Sequence, residues 1–569
     1  MRALFVAISL SLCWTLFSQS ESIDFITPIK IDKPSLTGSF AEIRPNHFHA
    51  GIDYSTNGAT GLKLVAVADG YVSRVKVSST GYGKALYVTH YNGFTSVYAH
   101  SDSYVGKIDS AVTSLQYQNK SFELDHNFAK DEIVVKKGDV IALSGNSGFS
   151  GGPHLHFELR ETISERVVNP YFYMKGIADH IAPKINSIVI YPLESNGTVN
   201  GKKWVQHFEV VNTNGKLSLK GGAQVKIAGK FAIGIRAYDL LDGSQRKCGV
   251  YSYSVRKDDL PVFYCDFYSI GFDETRYINS LIDYKAKVNN DQIIVRAYID
   301  PNNHLSIYKK TPDRGVMSVE PAKKGVVEIE LTDAKKNSSQ LKFTVVGEKV
   351  ISTKSVEKSA NEMVCGKAAT KELNGVNFTF SENSLYSDIV LKCSVTDFNK
   401  LYNSPVYNLG SKDIAIHSGV DVELTIPQSL RKYSKSLLIS RIEKSGELAY
   451  VGGKSDKSQF RVTIKEFGQH VFSVDTVAPA LLVVNVPKDF DYKGRKYVVV
   501  KAVDKRSEIA SYSAMINGSW VLLEYDKKSD LLLMPIAKAR VARNKLHQVE
   551  IRATDKMGNS SKVVTKFKY

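Results

Sequence analysis

Short alternating runs of apolar and polar residues, separated by glycine-containing turns, dominate residues 25–160. The alternation is clearest in LKLVAVADGYVSRVKVSS, KALYVTHYNGFTSVYAH, DEIVVKKGDVIALSG and HLHFELRE. This two-residue period is typical of half-buried strands, and the 3.6-residue period of amphipathic helices is almost absent. A polar stretch at 108–131 interrupts the pattern, and we interpret it as a partly helical insertion between two core strands.

Residues 181–569 continue as short strands with recurrent turn signals, which favours β-sandwiches in series. An internal repeat supports this interpretation, because VEIELTDAKKNSS at 327–339 and VEIRATDKMGNSS at 549–561 agree at eight of thirteen positions. The matching Asp333 and Asp555 lie where a strand ends in a turn. An Ala-Pro pair precedes each copy, at Ala182-Pro183 and Ala478-Pro479.

The predicted fold class is therefore all-β, with a small antiparallel β-sheet domain followed by serial β-sandwich, Ig-like domains. The predicted division is a signal peptide at 1–20, a first domain at 21–180 with an insertion at 108–131, an Ig-like β-sandwich with an insertion at 181–349, a β-rich domain at 350–475 and an Ig-like β-sandwich at 476–569.

Size and charge narrow the class of protein. At about 100–200 residues per domain, 569 residues suffice for about three to five domains. A composition of 43% hydrophobic and 23% charged residues excludes a mostly disordered chain, a collagen and a polytopic membrane protein. The net charge is +17, yet residues 21–180 hold 15 basic and 17 acidic side chains, so the positive excess lies in 181–569. That field favours anionic envelope polymers or lipid, although a generally basic composition explains it equally, and we expect no nucleic-acid partner.

The first twenty residues have the pattern of a signal peptide. Arg2 precedes the apolar run LFVAISLSLCWTLF at 4–17, and a small polar stretch follows with a cleavage zone near Ser18–Ser20. The run is shorter than the roughly 20 residues of a transmembrane helix, and no later segment reaches that length. We therefore expect an exported chain in the periplasm, cell envelope or extracellular space, without a transmembrane segment after signal removal.

Four cysteines follow the predicted signal peptide: Cys248, Cys265, Cys365 and Cys393. Export permits disulfides, and local pairing would join Cys248 to Cys265 and Cys365 to Cys393. Four buried free thiols are the alternative. None of the four has the CxxC spacing of a metal site.

The candidate chemistry lies in three histidine clusters of the first 180 residues, which hold eight of the 13 histidines. The clusters are HFHAGID at 47–53, VYAH at 97–100 and GGPHLHFE at 151–158. Residues i and i+2 of a strand face the same side, so His154 and His156 point into one space while Leu155 and Phe157 face an apolar core. His49 and Asp53 also share a face, with Gly51 between them leaving room above the pair.

Five groups are thus available: His49, Asp53, His100, His154 and His156. Catalytic zinc sites use three histidine or carboxylate ligands and leave one position for water. Three of the five could hold a metal, and two histidines could remain for acid–base work or oxyanion stabilisation.

A serine nucleophile is the competing interpretation of the glycine-rich stretch at 148–152. Gly148, Ser150 and Gly152 fit the GxSxG pattern, but that pattern needs a helix after the serine, and a histidine-bearing strand is predicted there instead. We therefore interpret the stretch as a loop that delivers the HLH strand and lines a groove.

The order and spacing of HxxxD, YAH and SGxSGGPHLHFE resemble those of the lysostaphin/LytM-type zinc peptidases, metallopeptidase family twenty-three. The resemblance covers about residues 40–170. It implies a lysostaphin-like fold, one zinc ion bound by His49, Asp53 and His156, and a pair of catalytic histidines, His100 and His154, beside the metal-bound water and the scissile carbonyl. The insertion at 108–131 departs from the family and could narrow the groove or form a lid.

The function implied by this resemblance is an exported zinc metallo-endopeptidase that hydrolyses the stem-peptide cross-links of bacterial peptidoglycan. One of His100 and His154 would take the proton of the water, and the other would assist the oxyanion or the leaving amine. The alternative is a non-hydrolytic envelope-binding protein or an activator of other cell-wall hydrolases, because degenerate relatives lose ligands.

Overall fold

The computed structural model describes residues 25–222, 224–351 and 359–569, so the predicted signal peptide lies outside the described residues. Residues 25–180, which we name the head, contain the elements β1 (Leu36–Gly38), β2 (Ile43–Arg44), β3 (His47–Phe48), β4 (Ile52–Ser55), β5 (Lys63–Val65), β6 (Gly70–Val77), β7 (Lys84–His90), β8 (Phe94–Ala99), β9 (Ser103–Tyr104), α1 (Gly106–Asn119), β10 (Leu124–Asn127), β11 (Val134–Val135), β12 (Val140–Leu143), β13 (His154–Glu161) and β14 (Val167–Val168).

The main sheet of the head is antiparallel and has the strand order β1-β4-β13-β8-β7-β6-β10. A small second sheet has the order β5-β12-β9. Alternation along β13 divides its side chains as the sequence predicts: Leu155, Phe157 and Leu159 are fully buried in the core. His154 and His156 therefore lie on the opposite face, and the all-β prediction for the head is confirmed.

The insertion at 108–131 does contain a helix, α1, followed by strand β10. Ile108 and Val112 bury one side of α1 against the head core. Strand β10 pairs with β6, at the edge of the main sheet farthest from β1 and β4. The insertion thus extends the far edge of the sheet and contacts the C-terminal region, which is not the position of a lid over β4 and β13.

Residues 181–351 contain the elements β15 (Lys184–Pro192), β16 (Thr198–Val199), β17 (Gln206–Thr213), β18 (Lys216–Leu219), β19 (Val225–Ala228), β20 (Phe231–Tyr238), β21 (Ser252–Lys257), β22 (Leu260–Asp266), β23 (Ser269–Ile270), α2 (Ile278–Leu281), α3 (Tyr284–Asn290), β24 (Val295–Arg296), β25 (Tyr308–Lys310), β26 (Lys324–Thr332) and β27 (Ser338–Glu348). Most of these strands form one connected sheet, in which β18 and β19 pair with β27 in parallel. Strand β23 instead pairs with β14 and so joins the head sheet. The two regions share a continuous apolar core.

Residues 359–475 contain β28 (Glu362–Met363), β29 (Ala369–Leu373), β30 (Val376–Phe380), β31 (Ile389–Val390), β32 (Cys393–Asn399), β33 (Ser404–Leu409), β34 (Val420–Thr425), β35 (Leu437–Ile442), β36 (Leu448–Gly452), β37 (Lys454–Asp456), β38 (Gln459–Ile464) and β39 (Gly468–Val474). Residues 476–569, the C-terminal region, contain β40 (Ala480–Val483), β41 (Tyr497–Val503), β42 (Ile509–Ile516), β43 (Ser519–Val521), β44 (Glu524–Asp526), β45 (Leu531–Pro535), β46 (His547–Asp555) and β47 (Ser560–Phe567).

Each of these two regions is a β-sandwich with its own apolar core. The first is built from two five-stranded sheets and the second from two four-stranded sheets. The predicted divisions after residues 180, 349 and 475 fall outside strands. The division after residue 180 does not separate two cores, because the head and the region that follows it share one. All three divisions stay predictions.

The internal repeat has a counterpart in strand pairing. Strand β20 pairs with β15 as β41 pairs with β40, and β26 lies between β21 and β27 as β46 lies between β42 and β47. The two copies therefore place their Asp333 and Asp555 at equivalent strand ends.

The local disulfide pairing is wrong, and the cysteines are free thiols. Cys248 and Cys265 are buried as the alternative expected, whereas Cys365 and Cys393 are only half-buried. Among the described residues, no helix combines the length and the apolar character needed to cross a membrane.

Candidate metal centre and active site

Strand register brings the first and third clusters of candidate residues together. In the antiparallel pair of β4 and β13, Asp53 stands opposite His156 and Ser55 opposite His154. Directly opposed side chains on such a pair lie about 4.5–5.5 Å apart at Cβ, within reach of a shared ion. His49 reaches the same place from the bend between β3 and β4.

Three donor atoms form a tight triangle in this centre. His49 Nε2 lies 2.9 Å from Asp53 Oδ1 and 2.8 Å from His156 Nδ1, and His156 Nδ1 lies 3.0 Å from Asp53 Oδ1. Tetrahedral zinc, with bonds of about 2.0–2.1 Å, needs ligand atoms roughly 3.3 Å apart. The two imidazole nitrogens and one carboxylate oxygen therefore fit a zinc ion with one further position open.

The other two histidines flank this triangle. His100 directly follows β8 with a φ of +59°, a left-handed conformation that is uncommon for non-glycine residues. Its ring centroid lies 4.8 Å from that of His154 and 5.9 Å from that of His156. His154 Nε2 lies 3.5 Å from Asp53 Oδ1. All five predicted site residues thus meet in one place.

Backbone carbonyls set the orientation of both flanking rings. His100 Nδ1 donates to the Ser147 carbonyl at 2.9 Å, and His154 Nδ1 donates to the Gly152 carbonyl at 2.8 Å. In a neutral imidazole with its proton on Nδ1, Nε2 is a proton acceptor. Both histidines can therefore accept a proton beside the metal position.

The three candidate ligands are oriented by a second set of partners. His49 Nδ1 donates to the Ser39 carbonyl at 2.6 Å, and His156 Nε2 donates to Glu158 Oε1 at 3.0 Å. Arg160 binds Glu158 Oε2 through two nitrogens at 2.8 and 2.6 Å. Such partners fix the tautomer of a metal-binding histidine and raise its basicity.

Two further side chains complete this support. The hydroxyl of Tyr82 donates to Glu158, and its ring stacks on His156 with centroids 5.2 Å apart. Arg44 binds Asp53 Oδ2 at 2.7 Å. Since Arg44 occupies Oδ2, Oδ1 is the oxygen left for the metal.

Burial and neighbouring charges set the protonation of the centre. Burial lowers the pKa of His49 to about 4 and of His100 to about 3, so both rings are neutral at pH 7. Burial also acts to lower the pKa of His156, but hydrogen bonds to Asp53 and Glu158 outweigh it and raise that pKa to about 9. Metal binding at His156 must therefore displace a proton.

Gly51 has a different role from the one expected. A Cβ on Gly51 would lie 2.3 Å from the backbone oxygen of Phe157, so glycine is required for the close approach of this bend to β13. The prediction that Gly51 leaves room above His49 and Asp53 is therefore wrong.

The loop that orients His100 is held by the C-terminal region. The side chain of Lys528 donates to the carbonyls of Asn146 and Gly148, at 3.2 Å for Gly148. Lys84, at the start of β7, forms a largely buried ion pair with Glu524 at 2.8 Å. Its backbone N–H donates to the hydroxyl of Ser147, the residue whose carbonyl fixes His100.

Ser150 lies beside His154 but is not placed as a nucleophile. Its Oγ is 3.2 Å from His154 Nδ1, yet that nitrogen donates its proton to the Gly152 carbonyl at 2.8 Å and so cannot accept one from Ser150. The Ser150 hydroxyl itself donates to the Gly152 carbonyl at 2.8 Å, and strand β13 follows rather than a helix. The stretch at 148–152 is thus a loop, as predicted.

The sequence placed Glu158 in the third cluster without a role, and it gave no role to the other supporting residues: Ser39, Arg44, Tyr82 and Arg160. A signal existed for two of them, because Glu158 and Arg160 continue the two-residue alternation of His154 and His156 on the same face of β13. Burial of charged side chains on a strand that carries metal ligands indicates such a role. Tyr82, Arg44 and the Ser39 carbonyl come from other segments and have no comparable signal.

Two family models match parts of the chain: peptidase family M23 at residues 47–170 and the Zu5-like domain at residues 360–475. The chain is 35% identical over 128 residues to an uncharacterized metalloprotease of Haemophilus influenzae. It is 34% identical over 122 residues to the DD-carboxypeptidase/endopeptidase Mpg of Neisseria meningitidis, and 30% identical over 124 residues to the murein hydrolase activator NlpD of Salmonella dublin.

These matches cover 22%, 21% and 22% of this chain, and 21%, 22% and 26% of the relatives. The chain therefore spans about a fifth to a quarter of the length of these relatives. Among solved structures, a catalytic domain of the M23 protein EnpA from Enterococcus faecalis is 26% identical, with 25% of this chain and 93% of that domain covered and a TM-score of 0.19. The catalytic domain of lysostaphin from Staphylococcus simulans is 21% identical, with 24% and 89% covered and a TM-score of 0.19.

Proposed function

Because residues 47–170 form a peptidase family M23 domain, we propose that this chain is an exported zinc metallo-endopeptidase that hydrolyses the stem-peptide cross-links of bacterial peptidoglycan. We place it in the periplasm, cell envelope or extracellular space. The observation that carries the proposal is the convergence of three ligand atoms within 2.8–3.0 Å of one another beside two histidines. The basic residues 181–569 would favour contact with anionic envelope polymers.

The proposed ligands are His49 through Nε2, Asp53 through Oδ1 and His156 through Nδ1. When bound, zinc supplies a Lewis acid that polarises a peptide carbonyl and makes a water acidic. Arg44 holds the second oxygen of Asp53, and Glu158 holds the second nitrogen of His156. These contacts keep the donor atoms in place while substrate binds.

His100 and His154 are the proposed catalytic residues. Each has its Nδ1 proton committed to a backbone carbonyl, so Nε2 is free to accept the proton of the attacking water. The histidine that has taken the proton carries Nε2–H and can donate to the leaving amine or to the developing oxyanion. His154 is the more accessible, with 16% of its side chain exposed, whereas His100 is buried.

The name of the NlpD relatives supports a second candidate function, activation of other murein hydrolases without hydrolysis. The head of this chain retains all five groups of the centre, which favours hydrolysis. An activator needs neither His100 nor His154 as a proton acceptor.

The test is incubation of the purified chain with intact peptidoglycan, with and without a zinc chelator, followed by mass spectrometry of the released fragments. We expect chelator-sensitive loss of cross-linked dimers, and fragment masses that identify the bond. His154→Ala should lower the rate about 10²–10⁴-fold while zinc stays bound. His156→Ala should lose the zinc.

His47→Ala is the matched control, because His47 is an exposed histidine two residues before His49. It should retain both zinc and activity. Stoichiometric zinc without any cleavage would contradict the proposal and favour the activator. Loss of zinc in His154→Ala would contradict the ligand assignment.

A further inference from the structure

Two groups of three aspartates lie outside the candidate active site. Asp179, Asp239 and Asp333 form one group, and Asp475, Asp504 and Asp555 form the other. In each group, one carboxylate oxygen from every residue lies within 4.8 Å of the others.

The two groups are equivalent members of the internal repeat. Asp179 and Asp475 each stand four residues before the proline of an Ala-Pro pair. Asp239 and Asp504 directly follow the paired strands β20 and β41. Asp333 directly follows β26, and Asp555 ends β46.

The hydrogen bonds around the groups also recur. Asn337 donates through its backbone and side chain to Asp333, and its side chain donates to the carbonyl of Asp179 at 3.1 Å. Asn559 makes the same contacts, with the carbonyl of Asp475 at 3.2 Å. The same geometry has therefore been built twice from segments far apart in the sequence.

Burial makes these groups costly without a cation. Five of the six aspartates are buried, and none of the ion pairs found among the described residues involves any of the six. Burial, together with the charge of Asp179, raises the pKa of Asp239 to about 8. Like charges held together away from water need a counter-charge.

Unpartnered polar atoms supply a second, independent observation. Asp475 is 1% exposed, and its Oδ2 has no hydrogen-bond partner among the described residues. The hydroxyl of Ser507, fully buried beside Asp504, also has none. At the first group, the buried hydroxyl of Tyr171 also has no hydrogen-bond partner among the described residues. Tyr171 lines a cavity of about 20 Å³ together with Asp179 and Asp239.

We propose that each aspartate group binds one divalent cation of the Ca²⁺ type, so that the chain carries two cation sites besides the candidate zinc centre. The donors are oxygens, which hard cations such as Ca²⁺ prefer over zinc. Cys248 lines the cavity of the first group, but it is not one of the candidate ligands. The candidate ligands of both groups are aspartates, so the chemistry that the two sites share is that of carboxylates.

The first site would lie behind the candidate metal centre. Its cavity is also lined by Ser39, whose carbonyl accepts from His49 and whose hydroxyl accepts from the backbone of Gly249. Occupation of the first site would therefore stabilise the segment that orients His49.

The test measures Ca²⁺ binding to the zinc-saturated full chain by equilibrium dialysis and elemental analysis. Calcium is raised past about 10⁻³ M, the range of extracellular calcium modules. The wild-type chain should retain two Ca²⁺ ions. Asp239→Asn and Asp504→Asn should retain one each, and the double variant none.

Asp489→Asn is the matched control, because Asp489 is exposed in the C-terminal region and its φ of +55° suits asparagine. It should retain two ions. Retention of two ions by the double variant, or no Ca²⁺ on the wild-type chain, would overturn the proposal. So would displacement of the bound Ca²⁺ by an equal concentration of further Zn²⁺.

Hydrogen exchange on the wild-type chain tests the location of the two Ca²⁺ sites, and its result does not depend on whether the variants fold. Ca²⁺ should slow exchange at the amides of Leu240 and Ser507, which donate to Asp239 and Asp504. Slowing elsewhere but not at these amides would contradict the assignment even if two ions bind.

Discussion

Glu158→Gln separates the orientation of a metal ligand from the chemistry of the site. Burial alone would raise the pKa of Glu158, but Arg160 and His156 lower it from 4.5 to about 2. At about 1.4 kcal/mol for each tenfold change in an equilibrium, the surroundings favour the carboxylate by roughly 3 kcal/mol. The charge of Arg160 makes the largest contribution to this stabilisation, and the hydrogen bond with His156 makes the next largest.

The expected result is a zinc dissociation constant raised about 10–100-fold, the usual cost of losing a partner that orients a metal ligand. This corresponds to about 1.4–2.7 kcal/mol, which fits within the stabilisation above. Competition against a chromophoric zinc chelator measures it. At saturating zinc the hydrolytic rate should return close to the wild-type value, because neither His100 nor His154 is touched.

Loss of stability must be distinguished from loss of orientation. Glu158→Gln leaves the guanidinium of Arg160 buried without its carboxylate, which costs about 3–5 kcal/mol of unfolding free energy. Adding Arg160→Met should restore stability to denaturant but not zinc affinity. Glu161→Gln, an exposed position on the same strand, is the matched control and should change neither. An unchanged zinc affinity in folded Glu158→Gln would refute the reasoning.

Three more outcomes can be measured. Gly51→Ala should lower the unfolding free energy by about 1–3 kcal/mol and weaken zinc binding, because its Cβ meets backbone at 2.3 Å, whereas Gly151→Ala, with open space at its Cβ, should not. Lys528→Met should leave zinc affinity unchanged but lower the hydrolytic rate several-fold, and an unaltered rate would mean that the loop before β13 keeps its shape unaided. Burial lowers the pKa of His90 and of His470 to about 4 in the folded chain. The contribution of each neutral ring to the unfolding free energy is therefore complete above about pH 6.5, and up to about 3 kcal/mol of it is lost as the pH falls to 4. Urea unfolding at pH 7.5 and 5 should show the decrease, and equal stabilities would contradict it.

The residues that meet in the candidate site could be predicted because strand alternation determines which side chains share a face. His154 and His156 project together from β13 for that reason, and Asp53 joins them by direct register. The hydrogen bonds that orient these residues could not be predicted in the same way. Every residue has a backbone carbonyl, so nothing in the sequence marks that of Ser39 or Ser147 as the acceptor for a particular histidine.

Long-range placement limited the other predictions. The helix in the insertion was predictable from its polar pattern, but the pairing of the following strand β10 with β6 depends on which sheet edge was left unpaired. Asp333 and Asp555 were visible as repeat positions, whereas their partners come from segments that only the fold brings near. The cysteine pairing failed because closeness in sequence says nothing about the direction of two side chains.

The contact of Lys528 with the loop that orients His100 has a consequence in time. A chain is synthesised from its N-terminus, and domains fold as they emerge. The head and residues 181–351 can therefore form most of their shared core before the C-terminal region exists to hold Asn146 and Gly148. On the proposed function, a newly synthesised chain is expected to have its candidate metal ligands in place while the loop before β13 is still loose, so that full hydrolytic activity arrives late, with the folding of the C-terminal region.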